Sequence, residues 1–163
     1  MQNQKIYFIT YGDNNFSIAK KHIVGLAKHS GFFEDAFTFG PKDLDQQFKK
    51  KFSDILGNVI GGGFWIWKHN IIEKVLKQIK DNDVVVYSDA GATFNFHGKK
   101  RFFEYIDLLN SSEYGNFRIE CENHHKEIQF TTIFDEFFKL VSTFITLSKK
   151  SDTDLSEVNT DAS

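Results

Sequence analysis

Apolar residues along this chain keep switching between two rhythms. "KIYFIT" (5–10) is a short, nearly continuous apolar run that reads as a buried strand, and the turn-forming "YGDNN" closes it. Residues 16–29 take up helical spacing instead, through Ile18, Ala19, His22, Ile23 and Leu26. "AFTF" (36–39) is a second strand, stopped by Gly40–Pro41, and Leu44, Phe48, Phe52 and Ile55 are spaced for a second helix. A glycine loop at 61–63 precedes a third helix with the stripe Ile71, Ile72, Val75, Leu76 and Ile79. "DNDVVVYSDAG" then gives a turn, a β-branched run and another turn, the pattern of a fully buried strand. Phe102, Phe103, Ile106 and Leu109 mark a fourth helix, and "NFRIEC" (116–121) reads as a further strand. Thr132 and Asp135 resemble a capping box for a last helix with the stripe Phe134, Phe137, Phe138, Val141, Phe144 and Ile145. Strands alternating with helices predict an α/β domain with a largely parallel sheet over residues 1–147. The polar tail 148–163 has no apolar period and is expected to be disordered.

Composition narrows the partners. The 163 residues are 40% hydrophobic and 26% charged, enough for one globular domain with a core. A net charge of −2 lacks the broad basic field that non-specific nucleic-acid binding needs, so no nucleic-acid partner is expected. Cys121 is the only cysteine, which excludes an internal disulfide and suits a reducing, cytoplasmic location, peripheral to a membrane at most. No transmembrane segment is expected, because the richest apolar stretch, 133–147, is broken by Asp135, Glu136 and Lys139.

Candidate chemistry follows from the strand order. Ligands of open α/β sheets sit outside the C-terminal ends of the parallel strands. Asp81 and Asp83 precede the strand 84–87, and read as a solvated turn, whereas Asp89 follows it. Six residues of extended chain span roughly 20 Å, so the two ends cannot serve one site. Asp89, with Gly91 beside it to let a ligand approach, is therefore the candidate site carboxylate. In "GGGFWIWKHN" (61–70), a glycine loop that opens towards the same end runs into Trp65, Trp67 and Lys68. A helix starting near Lys68 would bring backbone N–H groups and an ammonium to an anion. One tryptophan is expected under the helix and the other, or Phe64, against a ligand. Cys121, His124 and His125 in "CENHHKE" have too few ligands at too poor a spacing for zinc, and read as a surface turn. Lys99, Lys100 and Arg101 read as a solvated helix start.

"TYG" after the first strand, then "GGGFWIWKHNIIEKVL", then "DNDVVVYSDAG" together resemble a family of GT-A-type glycosyltransferases. These are the nucleotide-diphospho-sugar transferases of bacterial polysaccharide and lipopolysaccharide synthesis and of large viruses. The order and spacing match over residues 5–110, and a weaker match continues through "KEIQFTTIFDEFF". Two departures stand out. His69 occupies a position that is usually proline, and a two-carboxylate metal motif is reduced to Asp89 alone. The resemblance implies a GT-A, Rossmann-like domain that takes a nucleotide-diphospho-sugar as donor and a saccharide or glycan as acceptor. It implies that Thr10, Tyr11, Gly12, Trp67, Lys68, Asp89 and Gly91 line the nucleotide. It also implies that Asp89 holds a divalent cation, Mn²⁺ or Mg²⁺, or contacts the ribose, with Lys68 near the phosphates. The acceptor half of such a domain would be short here. A shortened member without transferase activity, or a small α/β interaction module with the aromatic block as its contact surface, is the alternative.

Overall fold

β1 (Ile6–Tyr11) is the central strand of a parallel trio, in the order β2–β1–β3, with β2 at Asp35–Phe39 and β3 at Val84–Ser88. The computed structural model describes residues 4–112, 115–117 and 143–147. The register runs Tyr7 opposite Asp35 and Val85, and Ile9 opposite Phe37 and Tyr87. This is a Rossmann-like α/β core, flanked by helices on both faces.

Period-two alternation divides the strands cleanly between those faces. Ile6 and Phe8 of β1, with Val84 and Val86 of β3, pack against Ile23 and Ala27 of α1 (Ser17–Ser30) and Ile106 and Leu109 of α6 (Lys99–Ser111). Ile9, Tyr11, Val85 and Tyr87 point the other way, onto Trp67, Ile71 and Val75 of α5 (Trp67–Leu76). Every residue of β3 is buried, as its β-branched run requires when helices cover both sides.

The chain between β2 and α5 is more broken than its apolar spacing suggests. The expected single helix through Leu44, Phe48, Phe52 and Ile55 is two short ones, α2 (Gln46–Lys51) and α3 (Ser53–Leu56). Phe52 leaves helical geometry between them, at φ −114° and ψ 26°. A four-residue turn, α4 (Gly61–Phe64), then leads into α5.

The last part of the sheet departs from the sequence expectation. Phe144 and Ile145, expected on a helix, lie instead on β5 (Thr143–Leu147), which runs antiparallel to β3 with Val86 opposite Ile145. β4 (Asn116–Phe117) pairs antiparallel with β5 at the edge. The β-branched Thr143, Ile145 and Thr146 suit a pleated strand, and an extended partner satisfies the outer hydrogen bonds of β3. The rest of the expected last helix, the remainder of the strand at 116–121, the Cys121–His124–His125 cluster and the tail 148–163 lie outside the described residues.

Asp83 also differs from expectation. It is 3% exposed rather than solvated, and its carboxylate accepts from the Lys5 N–H (2.9 Å) and the Lys80 N–H (3.3 Å). The carboxylate thus ties the start of β1 to the turn before β3, where Asn82 takes a positive φ of 68°. Asp81 is exposed. Both sit at the N-terminal edge of the sheet, opposite Asp89. Among the described residues no helix is long and apolar enough to cross a membrane.

Candidate functional site

The strand order creates the site. β1 leads through α1 to β2 on one side, and the next parallel strand, β3, lies on the other side of β1. The connecting helices α1 and α5 cover opposite faces, so a crevice opens at the C-terminal ends of β1 and β3, where the winding reverses. A cavity of about 1020 Å³ occupies this place. Tyr11, Gly12, Trp65, Trp67, Asp89 and Gly91 line it, with Gly61, Gly62, Leu44, Leu56 and Lys49 on its other walls.

Tyr11 and Trp67 form its aromatic wall. Their rings stack 3.8 Å apart at an interplanar angle of 16°, and Trp67 leans on Tyr87 at 6.1 Å. Trp67 is 5% exposed, and its indole N–H donates to the Gly61 carbonyl at 3.0 Å, which removes the usual cost of burying an indole. Trp65 is half-buried and lines the cavity. Both tryptophans line the cavity, Trp67 mostly in the core and Trp65 the more open of the two, and the segment that carries them is not extended. Burial pushes the Tyr11 phenol up to about 12, with the Asp13 and Asp43 carboxylates adding to it.

The glycine loop has an unusual conformation. Gly61, Gly62, Gly63, Phe64 and Trp65 have φ values of 58°, 57°, 97°, 52° and 60°. With Phe64 N–H donating to Ile60 O (2.8 Å) and Trp65 N–H to Gly61 O (3.3 Å), this is one turn of left-handed helix. Glycine is free to adopt it, but Phe64 and Trp65 are not. The turn also changes what the start of α5 offers. The N–H groups of Ile66 and Lys68 donate to the Gly63 and Trp65 carbonyls, at 3.2 and 3.0 Å, so those donors are satisfied by the turn instead of being presented to an anion.

Asp89 stands at the base of the cavity with its side chain 40% exposed. Its Oδ1 accepts from the buried Tyr87 hydroxyl at 2.5 Å and meets the Lys68 ammonium at 3.1 Å. Tyr87 and Asp89 are two residues apart on one face, which is why the phenol reaches the carboxylate. Burial and the Asp89 charge both push the Tyr87 phenol far up, so it remains a donor. Lys68 is only 12% exposed, with its ammonium 5.1 Å from the Tyr87 ring centre and 5.8 Å from that of Trp67. It contacts Asp89 rather than lining the cavity.

Of the other expected residues, Gly12 and Gly91 line the cavity and Thr10 does not. Thr10 alternates to the opposite face from Tyr11, is fully buried, and its hydroxyl has no hydrogen-bond partner among the described residues. A Cβ on Gly12 would come within 2.7 Å of Phe16 Cβ, so glycine is needed for that close turn, whereas Gly91 faces open space.

Two residues that carry charge here had no distinctive signal in the sequence. Lys49 is the one cation among the described residues lining the cavity, but "FKKK" reads as a solvated helix end. Lys20 donates to the Gly12 and Phe39 carbonyls, at 2.6 and 3.1 Å, and so ties the ends of β1 and β2 together.

The donor set of the described residues does not fit a protein-built metal site. Among the described residues no three His, Cys, Asp or Glu side chains converge, and the Asp89 carboxylate is met by Lys68. What the arrangement offers chemically is an aromatic wall, two carboxylates, Asp13 and the fixed Asp89, and the Lys49 ammonium. Comparisons with protein-family models, with curated proteins and with solved structures find no match to this chain.

Proposed function

We propose that this chain is a GT-A-type glycosyltransferase that moves a sugar from a nucleotide-diphospho-sugar to a saccharide or glycan acceptor, in the cytoplasm. The observation that carries the reading is the place and lining of the cavity. It sits at the switch point of the parallel sheet, between a stacked Tyr11–Trp67 wall and Asp89. The three sequence blocks behind the resemblance all contribute to this one cavity, although they are far apart in the chain.

Each part has a role in such a reaction. The half-buried Trp65 and the edges of Tyr11 and Trp67 present flat apolar surface to a base or sugar ring. Gly12 and Gly91 keep side-chain bulk away from the diphosphate. The acceptor oxygen attacks the anomeric carbon, the bond from that carbon to the diphosphate oxygen breaks, and negative charge grows on the leaving group. Lys49 is placed to meet that charge, the kind of preset electrostatic stabilisation that lowers such barriers most. Asp89, fixed by Tyr87 and Lys68, orients the donor through its other oxygen.

The test is release of UDP or GDP from a panel of UDP- and GDP-sugars, by the native chain and by Asp89→Asn. The amide keeps the shape and loses the charge. Turnover of at least one donor, abolished in a variant with an unchanged melting temperature, is expected. Equal turnover in both proteins would remove Asp89 from the site, and no turnover of any donor with any saccharide acceptor would remove the transferase reading.

A further inference from the structure

We infer that the groove between α2 and α5 is a second binding site, which takes an uncharged oligosaccharide. The groove has a volume of about 650 Å³, and α2 and α3 separate it from the crevice. Lys49 and Leu56 of those helices line the crevice, whereas Phe48 and Phe52 line the groove. Oligosaccharides are held by flat apolar surface against the C–H faces of their rings and by side chains that both donate to and accept from hydroxyls. The groove has both. The half-buried Phe48 and Phe52 rings lie 4.8 Å apart at an interplanar angle of 51°, and form an aromatic patch in its wall. Gln46 and Gln47, both exposed, bring two amides, each with a donor and an acceptor on one side chain. Asn70 is 5% exposed and fixes one wall, accepting from the Asp45 N–H at 3.2 Å and donating to Asp45 Oδ2 at 3.0 Å.

The charges of the groove select an uncharged ligand. Its two carboxylates each have a lysine partner, Asp45 with Lys74 at 3.8 Å and Glu73 with Lys77 at 2.6 Å. A cationic ligand would have to displace those lysines, and an anion would meet the carboxylates themselves. Hydroxyl groups meet neither obstacle, because a paired carboxylate still has lone pairs to accept from them. Lys51 stands over the Phe52 ring at 5.3 Å, an exposed contact that gives way to a sugar ring at little cost. His69 stands where the resembled family usually has proline, and the crevice makes no use of it. Its imidazole is 70% exposed in the wall of the groove, 3.8 Å from Glu73, and supplies a polar group that proline lacks. The inference stands on these residues whatever the crevice takes up. For the transferase reading it means that a glycan acceptor is anchored one helix, about 10 Å, away from the site of transfer.

The experiment is a two-dimensional ¹H–¹⁵N titration of the full chain with maltohexaose, cellohexaose and chitohexaose, and with inorganic phosphate as the charged comparison. At least one hexasaccharide is expected to shift the backbone amides of residues 46–48 and 69–70 and the Asn70 side-chain amide, more than the Trp65 indole, with a dissociation constant of about 1 mM or tighter. The double variant Gln46→Ala, Gln47→Ala changes only exposed positions to the best helix former, and is expected to bind at least about fivefold more weakly. Phe48→Leu keeps apolar bulk without the ring and is expected to lose at least as much; if it does not fold, the glutamine variant decides alone. No shift with any hexasaccharide, or shifts confined to the crevice, overturns the inference. A glutamine variant that binds like the native chain also overturns it, and equal shifts with phosphate would assign the groove to an anion instead. None of these outcomes bears on the sugar-nucleotide reading, which release of UDP or GDP tests separately.

Discussion

Asp89, Tyr87 and Lys68 meet at a single oxygen, and the consequences can be separated by substitution. Tyr87→Phe removes a buried donor to a charged acceptor, so a loss of about 1.5–3 kcal/mol is expected in urea unfolding, with weaker nucleotide binding. Thr10→Val should do the opposite. Its hydroxyl is fully buried without a partner among the described residues, so exchange for a methyl is expected to be neutral or to stabilise by up to about 1 kcal/mol. A clear loss of stability, or of nucleotide affinity, in that variant would show that Thr10 has a role the present contacts do not provide. Tyr11 gives a pH signature. Its phenol is raised to about 12 in the folded chain, against about 10 when unfolded. The unfolded chain therefore loses this proton first, and the stabilisation, complete below pH 10, falls away as pH rises towards 12. The fall should be shallower in Tyr11→Phe, as measured by denaturant unfolding at a series of alkaline pH values. Asp89 was legible in the sequence because a turn after a buried strand must lie at the C-terminal edge. Thr10 lies off the cavity lining because alternation turns it to the opposite face from Tyr11. Lys49 was not legible, since nothing in a run of three lysines says which one faces a cavity.

The left-handed turn at 61–65 raises its own test at the level of elements. Each non-glycine residue in that conformation costs about 1–2 kcal/mol, so Phe64 and Trp65 are held there by their surroundings. Gly62→Ala meets only the Trp67 indole nitrogen at 3.9 Å and should cost about 1–2 kcal/mol, the conformational term alone. Gly63→Ala should cost clearly more, because its Cβ would come within 2.7 Å of the Leu56 backbone. Equal losses for the two in thermal unfolding would contradict the packing described for this turn. Trp67→Ala, which removes a core ring stacked on Tyr11, is expected to cost about 3–5 kcal/mol, and Trp65→Ala much less. Three successive glycines signal positive φ in the sequence, but not that two aromatic residues continue it. That continuation depends on contacts with α3 and α5, which are not local. The same limit explains β5. Phe144 and Ile145 satisfy a helical stripe and a strand equally well, and the free edge of β3 decides between them.

Across the whole molecule, the parallel trio and the reversal at β1 bring residues 11–13, 61–67 and 89–91 to one crevice. Alternating strands and helices made that arrangement readable from the sequence, whereas the antiparallel addition of β5 and β4 was not, because it depends on which edge remains unpaired. The two indole N–H groups report on the crevice directly, since Trp65 and Trp67 are the chain's only tryptophans. The most direct measurement is a two-dimensional ¹H–¹⁵N titration of the native chain with UDP and with GDP. One nucleotide should shift the Trp65 indole and the Gly12 and Gly91 amides most, and the Trp67 indole less, because its proton is held by Gly61 O. If neither nucleotide at saturating concentration moves either indole or those glycine amides, the crevice is not a nucleotide site.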